Sequence, residues 1–197
     1  MRNAFAQEIT KLAAQNENLV LLAGDIGNRL FDDFKEKNPD RFYNCGIAEA
    51  LMTGVASGLA NNSFLPVTYT ITPFNTLRCL EQIKLDVCYP NLPITIVGTG
   101  SGLSYASLGA THHSLDDIAA MRMLPNMQIL APGDVYEVMS CLRAAINSKK
   151  PTYIRLGKKG EPIIHSKNFT YEIGKVIPVH KGQKNLVISV GNMLSEC

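Results

Sequence analysis

Short apolar runs recur along the chain at 19–23 (LVLLA), 65–70 (LPVTYT), 94–97 (ITIV), 127–131 (MQILA), 152–156 (TYIRL) and 186–190 (LVISV). Runs of this length, rich in branched residues and bounded by turn formers, predict buried strands. Helical periodicity lies between several of them. Phe5, Ile9, Leu12 and Ala13 share one helix face, as do Val135, Val138, Met139, Leu142 and Ile146. Asp134 with Glu137 forms a capping box ahead of the second pattern, and Thr72-Pro73 opens another helix with a capping hydroxyl and a proline at its first position. Strands alternating with helices predict an α/β fold, a doubly wound and mostly parallel sheet with helices on both faces. Ligands of such sheets collect beyond the carboxyl ends of the strands, which directs attention to the loops after LVLLA, LPVTYT, ITIV and TYIRL.

Composition narrows the class without naming a chemistry. Of 197 residues, 46% are hydrophobic and 18% charged, as in an ordinary globular domain. Nineteen basic against seventeen acidic residues leave a net charge of +2, too small for electrostatic capture of nucleic acid or an anionic membrane. The five cysteines, at 45, 79, 88, 141 and 197, form no C-x-x-C pair or metal-finger spacing, so reduced thiols in the cytoplasm are expected. The N-terminal MRNAFAQEITKLAAQ mixes charge with helical periodicity and lacks the apolar core of a secretory signal.

Three segments carry candidate chemistry. In the helix read over Asn44–Ala60, Glu49 is the sole charged group among small and apolar neighbours. It is either an exposed first-turn residue complementing the helix dipole or a buried carboxylate with a partner that repays its desolvation. In Tyr69–Gln82 a strand runs into a helix, and Phe74 is followed at i+4 by Arg78. An aromatic plate beside a guanidinium suits a planar ring and an anionic group, while the plain alternative makes Phe74 core and pairs Arg78 with a surface carboxylate. In Gly98–His113 a glycine-rich loop fails the dinucleotide fingerprint, since its third glycine would fall at Leu103, and ends in His112-His113. Adjacent loop histidines suit proton transfer better than metal ligation, and no metal site is expected.

Taken in order, LLAGDIG at 21–27, NPDRFYNCGIAEALMTGVASGLA at 38–60, LPVTYTITPFNTLRCLEQIKLDV at 65–87, GATHHSLDDIAAMRMLPNMQILAPGDVYE at 109–137 and PTYIRLGKKG at 151–160 resemble the pyrimidine-binding domain of the transketolase family. The THH and YIRLGKKG segments resemble 1-deoxyxylulose-5-phosphate synthases and separately encoded C-terminal transketolase subunits more than single-chain transketolases. The resemblance implies the thiamine diphosphate-binding fold and a set of roles. Glu49 falls on the Glu that contacts N1′ of the aminopyrimidine, sharing a proton so that the exocyclic nitrogen removes the C2 proton of the thiazolium. Phe74 falls on the aromatic that stacks on the pyrimidine, Ile47 of the same G-I-A-E segment belongs with the cofactor contacts, and Asp25 falls on the acidic residue of a turn near the cofactor. His112 falls on the histidine that faces the substrate, with Arg78 and Lys158 on the substrate side.

The departures bear on specificity and on completeness. Where transketolases carry D-G-P-T-H this chain has Leu108-Gly-Ala-Thr-His112, so a polar contact to the donor sugar is missing, and Lys158 stands where relatives carry a phosphate-binding arginine. The G-D-G…N segment that holds Mg2+ and the diphosphate does not occur, since GDI at 24–26 and GDV at 133–135 lack the right sequel. Half a cofactor site is therefore expected, completed by a diphosphate-binding partner chain in a homodimer or heterotetramer that transfers a two-carbon ketol unit between sugars. The runners-up are the beta-type subunit of a 2-oxo-acid dehydrogenase, a deoxyxylulose-phosphate synthase-like enzyme and a silent dimerisation module. The expected organisation is a domain over 1–164, a linker or small hairpin over 165–185, and over 186–197 the truncated start of a further domain.

Overall fold

The computed structural model describes residues 1–27, 29–158 and 160–197. Six strands form one sheet: β1 (Leu19–Ala23), β2 (Phe42–Asn44), β3 (Leu65–Ile71), β4 (Thr95–Thr99), β5 (Gln128–Leu130) and β6 (Thr152–Leu156). Their order is β2-β1-β3-β4-β6-β5, and every pairing is parallel. The strands β1 and β4 are buried along their whole length, which is why they read as continuous apolar runs rather than as alternating ones. Side-chain alternation then divides the core. Leu19 and Leu21 face Phe5, Ile9 and Ala13 of α1 (Arg2–Gln15), Phe34 of α2 (Asp32–Lys37) and Val138 and Leu142 of α7 (Val135–Ser148). Val20 and Leu22 face Met52, Ala56 and Ala60 of α3 (Glu49–Asn61) and Ala120 and Met121 of α6 (Asp117–Arg122). The doubly wound architecture expected from the sequence is the one observed.

The chain leaves β1 for β2 on one side and returns to β3 on the other, so a topological switch point lies between the carboxyl ends of β1 and β3. Crevices for ligands open at such points because the connections diverge above and below the sheet.

Several local expectations are corrected. The helix read from Asn44 starts only at Glu49, because Phe42–Asn44 pairs with β1 as an edge strand and Gly46 turns the chain at φ +67°. The Thr72 hydroxyl does not cap α4 (Thr72–Asn75) but donates to the Thr99 carbonyl at 3.1 Å, tying β3 to β4. Glu137 donates its backbone N–H to Asp134 Oδ1 at 2.9 Å, but its carboxylate accepts from Gly133 N rather than from Asp134 N, a capping box displaced by one residue. No strand forms over 186–190: Leu186, Val187 and Ile188 are 85%, 68% and 69% exposed, since an apolar run without a sheet edge beside it has nowhere to place its backbone hydrogen bonds. The stretch over 165–185 forms no hairpin; Tyr171 and Ile173 instead pack on the α1/α7 core. That segment is fastened by Asp134, which accepts from Ile164 N at 2.9 Å and His165 N at 2.6 Å.

Candidate functional site

The switch point is closed at its floor by Gly24, the residue after β1. A Cβ there would stand 3.0 Å from the Thr70 side chain and 3.3 Å from Glu49 Cγ, so only glycine lets the start of α3 lie directly on the sheet edge. Glu49 is consequently 2% exposed, and its Oε2 accepts from Arg78 Nη1 at 2.7 Å. Both sequence alternatives for Arg78 and Glu49 are thereby settled in one contact. Glu49 is not an exposed first-turn residue, and Arg78 does not pair with a surface carboxylate.

Arg78 reaches Glu49 because α4 does not continue. Thr76, at φ −126° and ψ −85°, breaks it, and a single 3-10 turn over Leu77–Cys79 leads into the short α5 (Leu80–Gln82). The break is held by Asn75, whose buried amide donates to the Val97 carbonyl at 2.9 Å and reaches the Thr68 hydroxyl at 3.2 Å. The Arg78 guanidinium then stands 4.0 Å from the centre of the half-buried Phe74 ring. This cation–π contact adds to the ion pair.

His112 joins the cluster through Phe74. Its ring meets Phe74 edge-on at 5.1 Å between centroids and an interplanar angle of 70°, and Tyr105 lies 6.3 Å away. The Thr111 hydroxyl contacts His112 Nδ1 at 3.0 Å, which leaves Nε2 as the ring nitrogen for a ligand. His113 turns away, with Nε2 at 3.3 Å from the Ala106 carbonyl. Glu49, Arg78, Phe74 and His112 thus form one chain of contacts, from a buried carboxylate through a guanidinium and an aromatic ring to an imidazole.

The remaining candidates stand apart. Asp25 is exposed, at φ +50°, and is held by Asn44, which accepts from Asp25 N at 3.2 Å and donates to Asp25 Oδ1 at 3.1 Å. It lines a separate crevice of about 560 Å3 with Arg2 and Arg29. Ile47 is 79% exposed in the loop before α3. Lys158 lies over the Tyr105 ring at 4.5 Å and lines a third crevice with Ser104 and Glu161. Sequence reasoning missed Asn44 and Tyr105; the signal for Tyr105 was Gly100, whose φ of +76° and missing Cβ admit the Tyr105 ring against the backbone.

Two other chemistries find no support at these positions. Burial pushes the Cys79 thiol up to about 11 and those of Cys88 and Cys141 to about 12, far from thiolate nucleophiles at neutral pH. Asp134, Glu137 and His165 cluster closely enough to suggest metal ligands. Burial raises the Asp134 carboxyl, but the backbone N–H groups of Glu137, His165 and Ile164, with His165, outweigh it and hold the group below the ordinary carboxylate range. Its oxygens are committed to those donors, as a helix cap requires.

A parallel doubly wound sheet with a buried carboxylate and an aromatic ring at its switch point defines an α/β domain whose candidate site lies at the carboxyl edge of the sheet. The chain matches the transketolase pyrimidine-binding domain over residues 1–161 and belongs to that family. It is 40% identical over 163 residues to one subunit of the apulose-4-phosphate transketolase of Actinobacillus succinogenes, covering 83% of this chain and 52% of the relative. It is 34% identical over 199 residues to a putative transketolase C-terminal section of Methanocaldococcus jannaschii, covering all of this chain and 63% of the relative. A solved split gene transketolase, an inactive beta4 tetramer, superposes with a TM-score of 0.90 at 32% identity over 99% of this chain and 64% of that one. The chain therefore spans between half and two thirds of the length of these relatives.

Proposed function

We propose that this chain is the pyrimidine-binding part of a cytoplasmic, thiamine diphosphate-dependent enzyme that transfers a two-carbon ketol unit between sugar substrates. A separately encoded chain supplies the diphosphate and Mg2+ site. The observation that carries the reading is the Glu49–Arg78–Phe74 constellation at the switch point. The residues present fit an aminopyrimidine: a buried carboxylate with one side-chain partner among the described residues, an aromatic ring joined to it through that partner, and a glycine that lets the carboxylate lie against the sheet edge. When bound, thiamine diphosphate supplies the thiazolium carbon that attacks the ketose carbonyl.

Each residue then has a task. Glu49 shares a proton with N1′ of the pyrimidine, and its burial keeps water from competing for that proton. Arg78 offsets the cost of burying the carboxylate and orients it. Phe74 holds the ring plane, and His112 offers a hydrogen bond to the substrate oxygen on which charge develops. Asp25 and Ile47 belong to the cofactor side and Lys158 to the substrate side. Lys158 supplies charge to an anionic substrate end without the bidentate fork of an arginine.

The partner face is the outer side of α3. Ile47, Leu51 and Val55 are 79%, 64% and 42% exposed, and a Cβ on Gly54 or Gly58 would meet nothing within 4 Å. This apolar, small-residue strip carries no charge and admits another backbone closely. The same proposal includes a domain over 1–164, a linker over 165–185 and the beginning of a further domain over 186–197; in its support, the family match ends at 161 and the relatives are longer. Mixing this chain with the diphosphate-binding chain of its own organism restores ketol transfer, whereas Gly54→Leu abolishes both the transfer and the complex at sedimentation equilibrium. Transfer by this chain alone contradicts the reading.

A further inference from the structure

The loop that carries His112 leaves the sheet after β4 and returns at α6, and its base is tied at one place. Gly102 and Ser114 exchange two backbone hydrogen bonds, at 3.1 and 3.0 Å, closing the eleven intervening residues into a lobe that holds Tyr105, His112 and His113. Beneath that bridge lies a buried charge pair outside the constellation described above. Asp117, 1% exposed at the start of α6, accepts at Oδ2 from the Tyr153 hydroxyl at 2.6 Å and from Arg155 Nε at 2.8 Å. Arg155 also donates from Nη2 to the Ser114 carbonyl at 3.2 Å. One guanidinium therefore joins strand β6, helix α6 and the closing residue of the lobe, two positions from His112.

We propose that Arg155, clamped by Asp117, is the positioning residue of His112. A buried ion pair adds little net stability compared with an apolar pair of the same volume, because desolvating both charges cancels most of their attraction. It does impose geometry, since the rigid fork of a guanidinium meets two acceptors only at one relative placement. Here the two acceptors are the α6 carboxylate and the lobe's base. Their common placement sets the position of His112 against Phe74, a relation a shorter or floppier side chain reproduces only in part. Burial, with the Asp117 charge alongside, raises the Tyr153 hydroxyl well above its ordinary range. It stays a proton donor that holds the other side of Asp117 Oδ2.

This role rests on the reading of His112 as facing the substrate, and the experiment separates the two. Arg155→Met, Arg155→Lys, His112→Asn and the double variant Arg155→Met/His112→Asn are compared in the complex with the diphosphate-binding chain, and amide hydrogen exchange is followed in this chain alone. Exchange at Gly102 and Ser114 rises in Arg155→Met while β6 keeps its protection. Turnover falls on the order of 10²-fold, the cost of a misplaced group. C2 hydrogen exchange of the bound cofactor stays at the wild-type rate. Arg155→Lys rescues part of the loss. The double variant is no slower than His112→Asn, because the effect passes through that histidine. Losses that multiply in the double variant, or unaltered exchange at Gly102 and Ser114, overturn the positioning role. Full activity in Arg155→Met beside a slow His112→Asn overturns it alone; full activity in His112→Asn overturns the substrate-facing reading beneath it. Should Arg155→Met fail to fold, Arg155→Lys carries the same comparison.

Discussion

Glu49→Gln in the assembled enzyme lowers turnover by roughly 10²- to 10⁴-fold, the range for loss of a general acid-base group, and leaves the fold intact. Glutamine has the shape of glutamate and still offers a carbonyl oxygen to Arg78 in place of Oε2, so the packing against Gly24 and Thr70 survives. What it cannot do is share a proton with a ring nitrogen. The consequence appears directly as slow C2 hydrogen exchange of bound cofactor, measured before any substrate is added. Were the carboxylate present only to anchor Arg78, the variant would keep its exchange rate.

His112→Asn lowers kcat/KM by roughly 10²- to 10³-fold, with cofactor affinity and melting temperature nearly unchanged. The ring is half-exposed and its only close polar contact among the described residues is the neighbouring Thr111 hydroxyl, so little folding energy depends on it. Its ring stands edge-on to Phe74, and in the proposed role a donor to a developing oxyanion is worth several kcal/mol of barrier. His113→Asn is the control. Its ring contacts the Ala106 carbonyl and not Phe74, so turnover stays within a few-fold of wild type. Equal losses at both positions, or a loss at His113 alone, assign the role to the wrong histidine.

The sheet was legible because its strands are buried on both faces and so stand out as apolar runs. β2 was not, since Phe42–Asn44 is a short edge strand whose Tyr43 and Asn44 face solvent, and no periodicity develops over three residues. The run at 186–190 carried the opposite error: composition favours a strand, but strand formation depends on a neighbouring edge that local sequence does not encode. Within the site, Glu49, Phe74 and His112 were readable as residue types. Their mutual contact was not, because it depends on the break at Thr76 that swings Arg78 back to Glu49. The Asp117–Arg155 pair left a trace that could have been followed, a lone arginine inside the apolar run TYIRL, but its partner lies 38 residues away across the sheet.

The proposed function gives this chain the pyrimidine half of a divided cofactor site. Calorimetric titration of thiamine diphosphate with Mg2+ tests it most directly, first into this chain alone and then into its complex with the diphosphate-binding chain. The chain alone presents Glu49, Phe74 and Arg78 but not the diphosphate-binding segment absent from its sequence, so it binds weakly, while the complex binds in the micromolar range or tighter. Affinity in the micromolar range for the chain alone, or its absence from the complex, contradicts the account.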